Sequence, residues 1–264
     1  MGERACRNYR ATVSYDGTRY HGFQWQPNQL TVQGELTEAI ERVTRQEVGV
    51  VGAGRTDAGV HALGQVISFR CGWRHPVADL ERALNAVLPQ DIAVRELSEA
   101  EEDFHARYSA RRRTYAYSIY IGGTRQPLLS RYALHVREAL HIEGMRAASS
   151  HVIGRRDLAA LGQSPSGGGT VREIFEASWE PVDGGLWLGQ AGLRFYVSAN
   201  AFLRGMVRRL VGSLLEVGRR RWSVAEFAEM LRSRDIGRAA PLVPAHGLCL
   251  LRVDYDDKNH LRGG

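Results

Sequence analysis

Lysine is almost absent from this chain of 264 residues, because the 35 basic residues are all arginine except Lys258. With 29 acidic residues, the formal net charge is +6. Arginine binds phosphate through two parallel hydrogen bonds and stacks on bases, so this composition favours an RNA partner. A genome-wide codon bias would give the same excess of arginine. Composition alone therefore suggests a polyanionic partner without establishing one.

Cysteine is also scarce. Cys6, Cys71 and Cys249 lie far apart in the sequence and form no C-x-x-C pair. This spacing argues against a disulfide framework and against a zinc site built from cysteines. The nine histidines include no H-E-x-x-H motif. We therefore expect no metal bound by local ligands.

Long hydrophobic runs are missing as well. No apolar stretch approaches the roughly 18–20 residues that cross a bilayer, and residues 1–7 show no apolar signal core. We expect a cytoplasmic protein without membrane contact. The chain is 44% hydrophobic, which is enough to form the core of one or two domains.

Hydrophobic periodicity and turn residues predict alternating strands and helices. Strands are predicted at residues 9–15, 48–51, 65–69, 92–97, 113–121, 171–179, 185–190, 193–198 and 247–255. Helices are predicted at 31–46, after 76, at 141–153, at 201–217 and after the capping box S-x-x-E at 223–226. This order predicts an α+β fold with two β-α-β-β-α-β halves, residues 1–106 and 107–264.

One glycine-rich segment, GAGRTDAGVH at residues 52–61, fits neither G-x-G-x-x-G nor G-x-x-x-x-G-K-[ST]. It holds one carboxylate, Asp57, with Arg55 two positions before it and His61 four after. Small neighbours would let a substrate approach the backbone, and the arginine would keep the carboxylate ionised and oriented. Aspartate is common in glycine turns, so the spacing alone does not make Asp57 catalytic.

A second candidate segment begins with three consecutive arginines, Arg111, Arg112 and Arg113, and continues as a strand. Tyr115 and Tyr117 share one face of that strand. Basic residues beside aromatic rings are typical of sites that hold an unstacked base. An ordinary half-buried strand with a solvated end explains the same pattern.

Two further segments carry candidate residues. Arg204 and Arg208 would lie one turn apart on the helix predicted at 201–217, where Arg208 could pair with a carboxylate in a cleft. The alternative is that both arginines only cover the helix surface. Leu248, in the loop that enters the last strand, would ordinarily be assigned to the core.

Together, these segments resemble, in order and spacing, the motifs of the TruA-type tRNA pseudouridine synthases. The resemblance begins at YDGTRYHGFQ (residues 15–24) and includes the block around Asp57 and DFHAR (103–107). It continues through the Tyr115 strand and the arginine helix, and it ends at Gly247 and Leu248. The block around Asp57 is highly specific, and the similarity covers nearly the whole chain.

This resemblance implies two ferredoxin-like, or RRM-like, halves with antiparallel sheets side by side, helices on one side, and an active-site cleft between the halves. It implies isomerisation of uridine to pseudouridine at positions 38–40 of the tRNA anticodon arm, without a cofactor. Asp57 would be the essential nucleophilic carboxylate. Whether it adds to the base or the sugar, or removes a sugar proton, stays open. A homodimer that binds tRNA across both subunits is also implied.

The resemblance also assigns roles to the other candidates. Tyr115 would stack on the flipped uracil, and Leu248 would close its other face. Arg208 would pair with Asp57, and Arg55 would fill the vacated space or hold the everted nucleotide. The remaining candidate arginines would bind phosphates: Arg111, Arg112, Arg113 and Arg204.

Two other classes of function compete with this reading. The first is a non-catalytic RNA-binding module made of two ferredoxin-like halves. The second is an aspartate-dependent hydrolase of a small phosphorylated or glycosidic substrate. Such a hydrolase usually needs a second carboxylate or a metal ion, and the sequence offers no convincing candidate for either.

Overall fold

The computed structural model describes residues 6–164, 167–184, 187 and 191–256. The chain forms two compact units: unit 1 is drawn from Met1–Arg111 and Leu250–Gly264, and unit 2 is Arg112–Cys249. The boundary expected near residue 106 thus falls at Arg111, and the C-terminal segment returns to unit 1. The last strand pairs with a strand of unit 1.

Both units are mixed α/β. The strands are β1 (Arg7–Tyr15), β2 (Val51–Gly52), β3 (His61–Cys71), β4 (Ile92–Glu99), β5 (Ala110–Ile121), β6 (Leu134–Val136), β7 (Gly154–Asp157), β8 (Val171–Val182), β9 (Ala191–Ala199) and β10 (Leu248–Tyr255). The helices are α1 (Val32–Thr44), α2 (Val77–Val87), α3 (Ile142–Ser150), α4 (Met206–Gly218) and α5 (Val224–Ser233).

In unit 1 the strands lie in the order β4-β1-β3-β10, and β2 pairs with β3. β1 is antiparallel to both β3 and β4, and β2 is antiparallel to β3. Tyr9 of β1 lies opposite Phe69 of β3, and their rings stack with centroids 5.6 Å apart. Leu36 and Ile40 lie four residues apart on one face of α1, and both are buried in the core of this unit.

In unit 2 the strands lie in the order β5-β9-β8-β7, and the short β6 pairs with β5 in parallel. β9 is antiparallel to both of its neighbours. Leu210 and Leu214 of α4 and Phe195 of β9 are fully buried. The Trp179 ring contacts Phe195 with centroids 4.9 Å apart, so aromatic packing between β8 and β9 contributes to this core.

The predicted helix caps are confirmed where the signal is local. Thr31 accepts a hydrogen bond from the Gly34 N–H (3.3 Å) at the start of α1. At α5, Ser223 and Glu226 form the capping box in both directions. None of the helices in the described part of the chain is long and apolar enough to cross a membrane.

The helix predicted from residue 201 begins only at Met206, which corrects the predicted position of Arg204. Gly205 adopts a left-handed conformation (φ 70°) that ends the irregular segment before α4. The Arg204 N–H donates to Gln163 O (3.0 Å) in an isolated β-bridge. Arg204 and Arg208 therefore do not lie one turn apart on a helix, because pairing with a distant segment holds Arg204 outside it.

Two strand predictions also need correction or qualification. Of the strand predicted at 48–51, only Val51 lies in a strand, the two-residue β2, and the short strands β6 and β7 were not predicted. Both carry only three or four residues, which is too few to show a period-2 pattern. The strand predicted at 185–190 falls on residues that, apart from Trp187, lie outside the described part of the chain.

Replacing Ser223 with alanine should lower the free energy of unfolding by about 1 kcal/mol, because the Glu226 N–H loses its acceptor. Urea denaturation followed by circular dichroism measures this difference. Ser223→Thr keeps the hydroxyl and should stay within a few tenths of a kcal/mol of the native protein. An equal loss in both variants would show that the cap contributes nothing to stability.

Candidate active site

Asp57 lies on the loop of residues 53–60, which joins β2 to β3 in unit 1. Its side chain is half-buried, whereas Arg55 is exposed. The Val60 N–H donates to Asp57 O (3.1 Å), which closes a tight turn directly after the aspartate. Gly59 supplies the left-handed residue of this turn (φ 77°).

A buried glutamine fixes the start of this loop. Gln65 of β3 has no exposed surface. Its Oε1 accepts from the Gly54 N–H (3.2 Å), and its Nε2 donates to Gly54 O (2.8 Å). The amide side chain thus takes the place of a strand partner for Gly54. This role of Gln65 was not predicted from the sequence, although a polar residue within an otherwise apolar strand is a signal that could have indicated it.

Thr56 anchors the loop beside Asp57. Its hydroxyl lies 2.8 Å from the buried Tyr15 OH, and its carbonyl accepts from the Phe23 N–H (3.1 Å). Tyr15 and Phe23 both belong to the YDGTRYHGFQ segment (residues 15–24). This segment and the Asp57 loop, separate in sequence, therefore form one hydrogen-bonded structure.

Two glycines of the same segment allow this close packing. A Cβ added to Gly17 would lie 2.0 Å from Val60 O, so only glycine fits against the loop there. Gly22 has φ +97°, and a Cβ there would lie 2.7 Å from Thr56 O. His61 completes the contact, because its Nδ1 lies 3.1 Å from both Gly17 N and Asp16 Oδ1.

In unit 2, Tyr115 is a buried residue of β5. Its ring meets the edge of Phe202 at an interplanar angle of 83° and a centroid distance of 5.0 Å. Tyr117 lies two residues further along β5 and therefore on the same face of the strand. This contact with Phe202 orients the Tyr115 ring. It was not predicted from the sequence.

Arg208 and Tyr117 hold the loop that precedes β10. Arg208 Nε donates to Val243 O (2.8 Å), and the Tyr117 OH donates to Pro244 O (2.9 Å). Burial raises the pKa of the Tyr117 phenol, and the positive charge of Arg208 opposes this rise. A Cβ on Gly247 would lie 2.6 Å from Tyr117 Cζ, so this loop packs directly on the tyrosine ring.

Leu248 is the first residue of β10 and is buried, as the ordinary core assignment would have it. It follows Gly247, the residue that packs against Tyr117. Tyr115, Arg208 and Leu248 each have a relation to Tyr117 within unit 2. Tyr115 lies on the same face of β5 as Tyr117, and the charge of Arg208 lowers the pKa of the Tyr117 phenol. Leu248 follows the loop whose backbone accepts a hydrogen bond from Tyr117.

The four candidate phosphate-binding arginines differ in environment. Arg111 is exposed and pairs with Asp256 (2.7 Å), and Arg204 is exposed. The Arg112 guanidinium lies over the Phe175 ring, 4.4 Å from its centroid. Arg113 is buried and donates to Asn200 O (2.8 Å), so its guanidinium is part of the packing of unit 2.

No group of three His, Cys, Asp or Glu side chains in the described ranges is arranged to hold a metal ion. Hydrogen bonds hold the loop carrying Asp57, and hydrogen bonds and aromatic packing hold the elements around Tyr117. A carboxylate on a fixed loop can act as a nucleophile or as a general base.

Comparison with known proteins assigns the family. The family model described as tRNA pseudouridine synthase matches residues 11–109 and 148–256. The chain belongs to the tRNA pseudouridine synthase family. Asp57 falls in the first matched segment, and Arg208 and Leu248 fall in the second. Tyr115 lies between the two matched segments.

Similar proteins match over almost the full length of the chain. A tRNA pseudouridine synthase A from a Roseiflexus species (strain RS-1) is 45% identical over 251 residues, which cover 95% of this chain and 92% of that protein. The protein of the same name from Chloroflexus aurantiacus (strain J-10-fl) is 43% identical over 94% of this chain and 89% of its own. The one from a Thermoanaerobacter species (strain X514) is 40% identical over 94% and 100%.

The close contact between Gly17 and Val60 predicts the effect of a substitution in this isomerase. Replacing Gly17 with alanine should lower the free energy of unfolding by about 1–3 kcal/mol, because the new Cβ would meet Val60 O. Urea denaturation measures the change, and faster amide hydrogen exchange at Val60 would report local loosening of the Asp57 loop.

Gly49 offers a matched control in the same unit, because a Cβ there has no heavy atom within 4 Å. Gly49→Ala should change the free energy of unfolding by less than about 0.5 kcal/mol. Equal effects of the two substitutions would mean that the Gly17 contact does not constrain the loop.

Proposed function

We propose that this protein isomerises uridine to pseudouridine at positions 38–40 of the tRNA anticodon arm, with Asp57 as the nucleophilic carboxylate. The observation that carries the proposal is the Asp57 loop itself. Asp57 is half-buried and directly follows Thr56, whose side chain is bound by buried Tyr15, on a loop whose Gly54 backbone is bound by buried Gln65. A carboxylate held in this way is preorganised for reaction.

The chemistry requires no redox partner. The bond between N1 of uracil and C1′ of the ribose breaks, the base rotates, and a bond between C5 and C1′ forms. The proton on C5 leaves and N1 gains one, so atoms and electrons balance. Asp57 acts as the nucleophile by adding to the sugar or the base. A bond from Asp57 to C1′ breaks when C5 of the base joins C1′, whereas a bond from Asp57 to the base breaks in a separate elimination after C5 has joined C1′.

The target uridine has to leave the base stack before Asp57 can reach it, at a cost of a few kcal/mol. Arg55 supports this step, because it is exposed and lies two residues before Asp57 on the same loop. Its guanidinium would occupy the vacated space or bind the phosphate of the everted nucleotide. The other exposed arginines of the candidate set, Arg111 and Arg204, would bind phosphates nearby.

We infer that unit 2 contributes Tyr115, Arg208 and Leu248 to the same reaction. Tyr115 would stack on the uracil, and the contact with Phe202 supports this role by fixing the ring. Arg208 would orient and neutralise the Asp57 carboxylate. Leu248 would close the other face of the base. These contacts between the units are part of the proposal.

The finer architecture belongs to the same proposal. Before β10, unit 1 follows the element order β-α-β-β-α-β, with β1 between β4 and β3, β2 paired with β3, and antiparallel pairing among these strands, which supports a ferredoxin-like half. We propose a second such half, helices on one side of the sheets and a cleft between the halves. We also propose a cytoplasmic homodimer that binds one tRNA across both subunits.

Replacing Asp57 with asparagine should abolish pseudouridine formation in a transcribed tRNA, because the amide cannot act as the nucleophile. Binding of the tRNA should stay within a few-fold of the native protein, since phosphate contacts provide most of the affinity. Chemical mapping of pseudouridine and filter binding measure the two quantities. Activity of the asparagine variant near the native level would remove Asp57 from the mechanism.

The same assay separates the competing functions. A non-catalytic RNA-binding module would bind tRNA, yet the native protein would leave every uridine unchanged. An aspartate-dependent hydrolase would release free uracil or phosphate from its substrate. Pseudouridine at positions 38–40 in the native reaction supports the proposed isomerase, and pseudouridine only elsewhere would contradict the proposed site of modification.

Arg208→Gln should lower kcat by about 100-fold, the usual scale for losing one preorganised charged or hydrogen-bonding group in an active site. The affinity for tRNA should change much less. Arg232 of α5 is exposed, so Arg232→Gln is a matched removal of one positive charge and should leave kcat within about twofold. Equal kcat values for the two variants would contradict the proposed role of Arg208.

A further inference from the structure

A recess of about 150 Å³ lies beside the Asp57 loop in unit 1, and Arg55 is the one lining residue with a role in the reaction proposed above. Its hydrophobic lining includes Phe23 and Val51, and Gln24 contributes a polar group. Arg55 and Arg107 add two positive charges to its wall. The combination of apolar surface, an amide and two guanidinium groups matches the chemistry of a nucleotide.

Hydrogen bonds fix the walls of this recess in advance. The Gln33 side chain accepts from the Trp25 N–H (2.8 Å) and donates to Val50 O (2.7 Å), which joins two segments of the wall. A Cβ on Gly52 would lie 2.3 Å from Phe23 Cε1, so the Phe23 ring packs directly on the β2 backbone. A site built in this way needs little rearrangement to bind a ligand.

Next to the recess, Tyr108 exposes an unusual amount of aromatic surface. Its side chain is 74% exposed, although its ring packs against His105 with centroids 4.3 Å apart. The Arg107 guanidinium lies 5.5 Å from the centroid of the same ring. An exposed ring held beside an arginine is typical of surfaces on which unpaired bases stack.

The volume of the recess limits what it can bind. Pockets for drug-sized ligands hold about 300–1,000 Å³, so 150 Å³ admits one planar base and excludes a large cofactor. The two arginines add a preference for a phosphate group. Arg55 and Asp57 lie two positions apart in the chain, so their Cα atoms are at most about 7 Å apart. A nucleotide bound here would therefore be a close neighbour of the reacting one.

We propose that this recess and the Tyr108 ring beside it bind two adjacent unpaired nucleotides of the tRNA within two positions of the target uridine. The base of one enters the apolar recess, Arg107 binds its phosphate, and the base of the other stacks on Tyr108. This inference rests on the proposed function and adds a second nucleotide subsite to it. The subsite would help to select which uridines of a flexible loop reach Asp57.

Anticodon stem-loops with a single abasic residue at each position within two of the target uridine test the subsite. Both kcat/KM for pseudouridine formation and the dissociation constant are measured for the native protein, Tyr108→Ala and Arg107→Gln. With the native protein, one or two flanking abasic positions should lower both affinity and kcat/KM about tenfold, the scale of a lost base–aromatic contact. In Tyr108→Ala, the abasic residue at the position that stacks on Tyr108 should lower affinity and kcat/KM by less than about twofold, because the substitution has already removed the contact between base and ring.

Arg107→Gln should weaken binding of the intact stem-loop and reduce the slope of log affinity against log salt by about one. Arg131 and Tyr132 of unit 2 provide the matched control, because the Arg131 guanidinium lies over an exposed tyrosine ring in the same way (5.8 Å). Arg131→Gln and Tyr132→Ala should retain the native abasic profile and salt slope. An altered profile in these controls would contradict a subsite located at Tyr108.

Equal abasic penalties in the native protein and in Tyr108→Ala at every position would overturn the proposed subsite. If the native protein converts the intact stem-loop but Tyr108→Ala leaves every abasic penalty unchanged, the subsite fails and the proposed function stands. If it converts no uridine in any tRNA, the proposed function fails. The dissociation constants then still decide whether the recess binds a flanking nucleotide.

Discussion

The hydrogen bonds between the Gln65 side chain and the Gly54 backbone are the constraint on which the Asp57 loop depends. Gln65 is fully buried, so its amide has no water to compete with this pairing. An unpaired amide at this depth would cost about 1–3 kcal/mol, which strongly favours one conformation of the loop. Thr56 and Tyr15 add a second anchor directly beside the aspartate. The position of Asp57 is thus set by polar groups that are themselves buried.

Unit 2 uses the same principle with different residues. Tyr117 is buried in the sheet, and its hydroxyl reaches the backbone of the loop before β10. Arg208 donates to the same loop from α4, so two separate elements hold one connection. In unit 1 the loop that carries Asp57, and in unit 2 the loop that precedes Leu248, is held by a buried side chain of a strand. Reactive groups held in this way lose little entropy when substrate binds.

Sequence reasoning succeeded where the cause of a structure is local. The caps at Thr31 and Ser223 follow from side chains that bond the backbone three residues further on. The hydrophobic residues of α1 repeat at the spacing of one helical turn, and the alternation of β1 runs within a single strand. It failed at the start of α4, because Gly205 and the bridge from Arg204 to a distant segment override the helical pattern there.

The order and spacing of the motifs by themselves determined the family and singled out Asp57, because those residues are contiguous or regularly spaced in the chain. The tertiary structure decided which neighbours support it. Gln65 acts on a loop eleven residues away, Arg113 is buried while Arg111 is exposed, and Tyr108 stands beside a recess. Such facts depend on contacts between distant segments. The free energy of those contacts comes from burial and pairing, which local sequence patterns do not record.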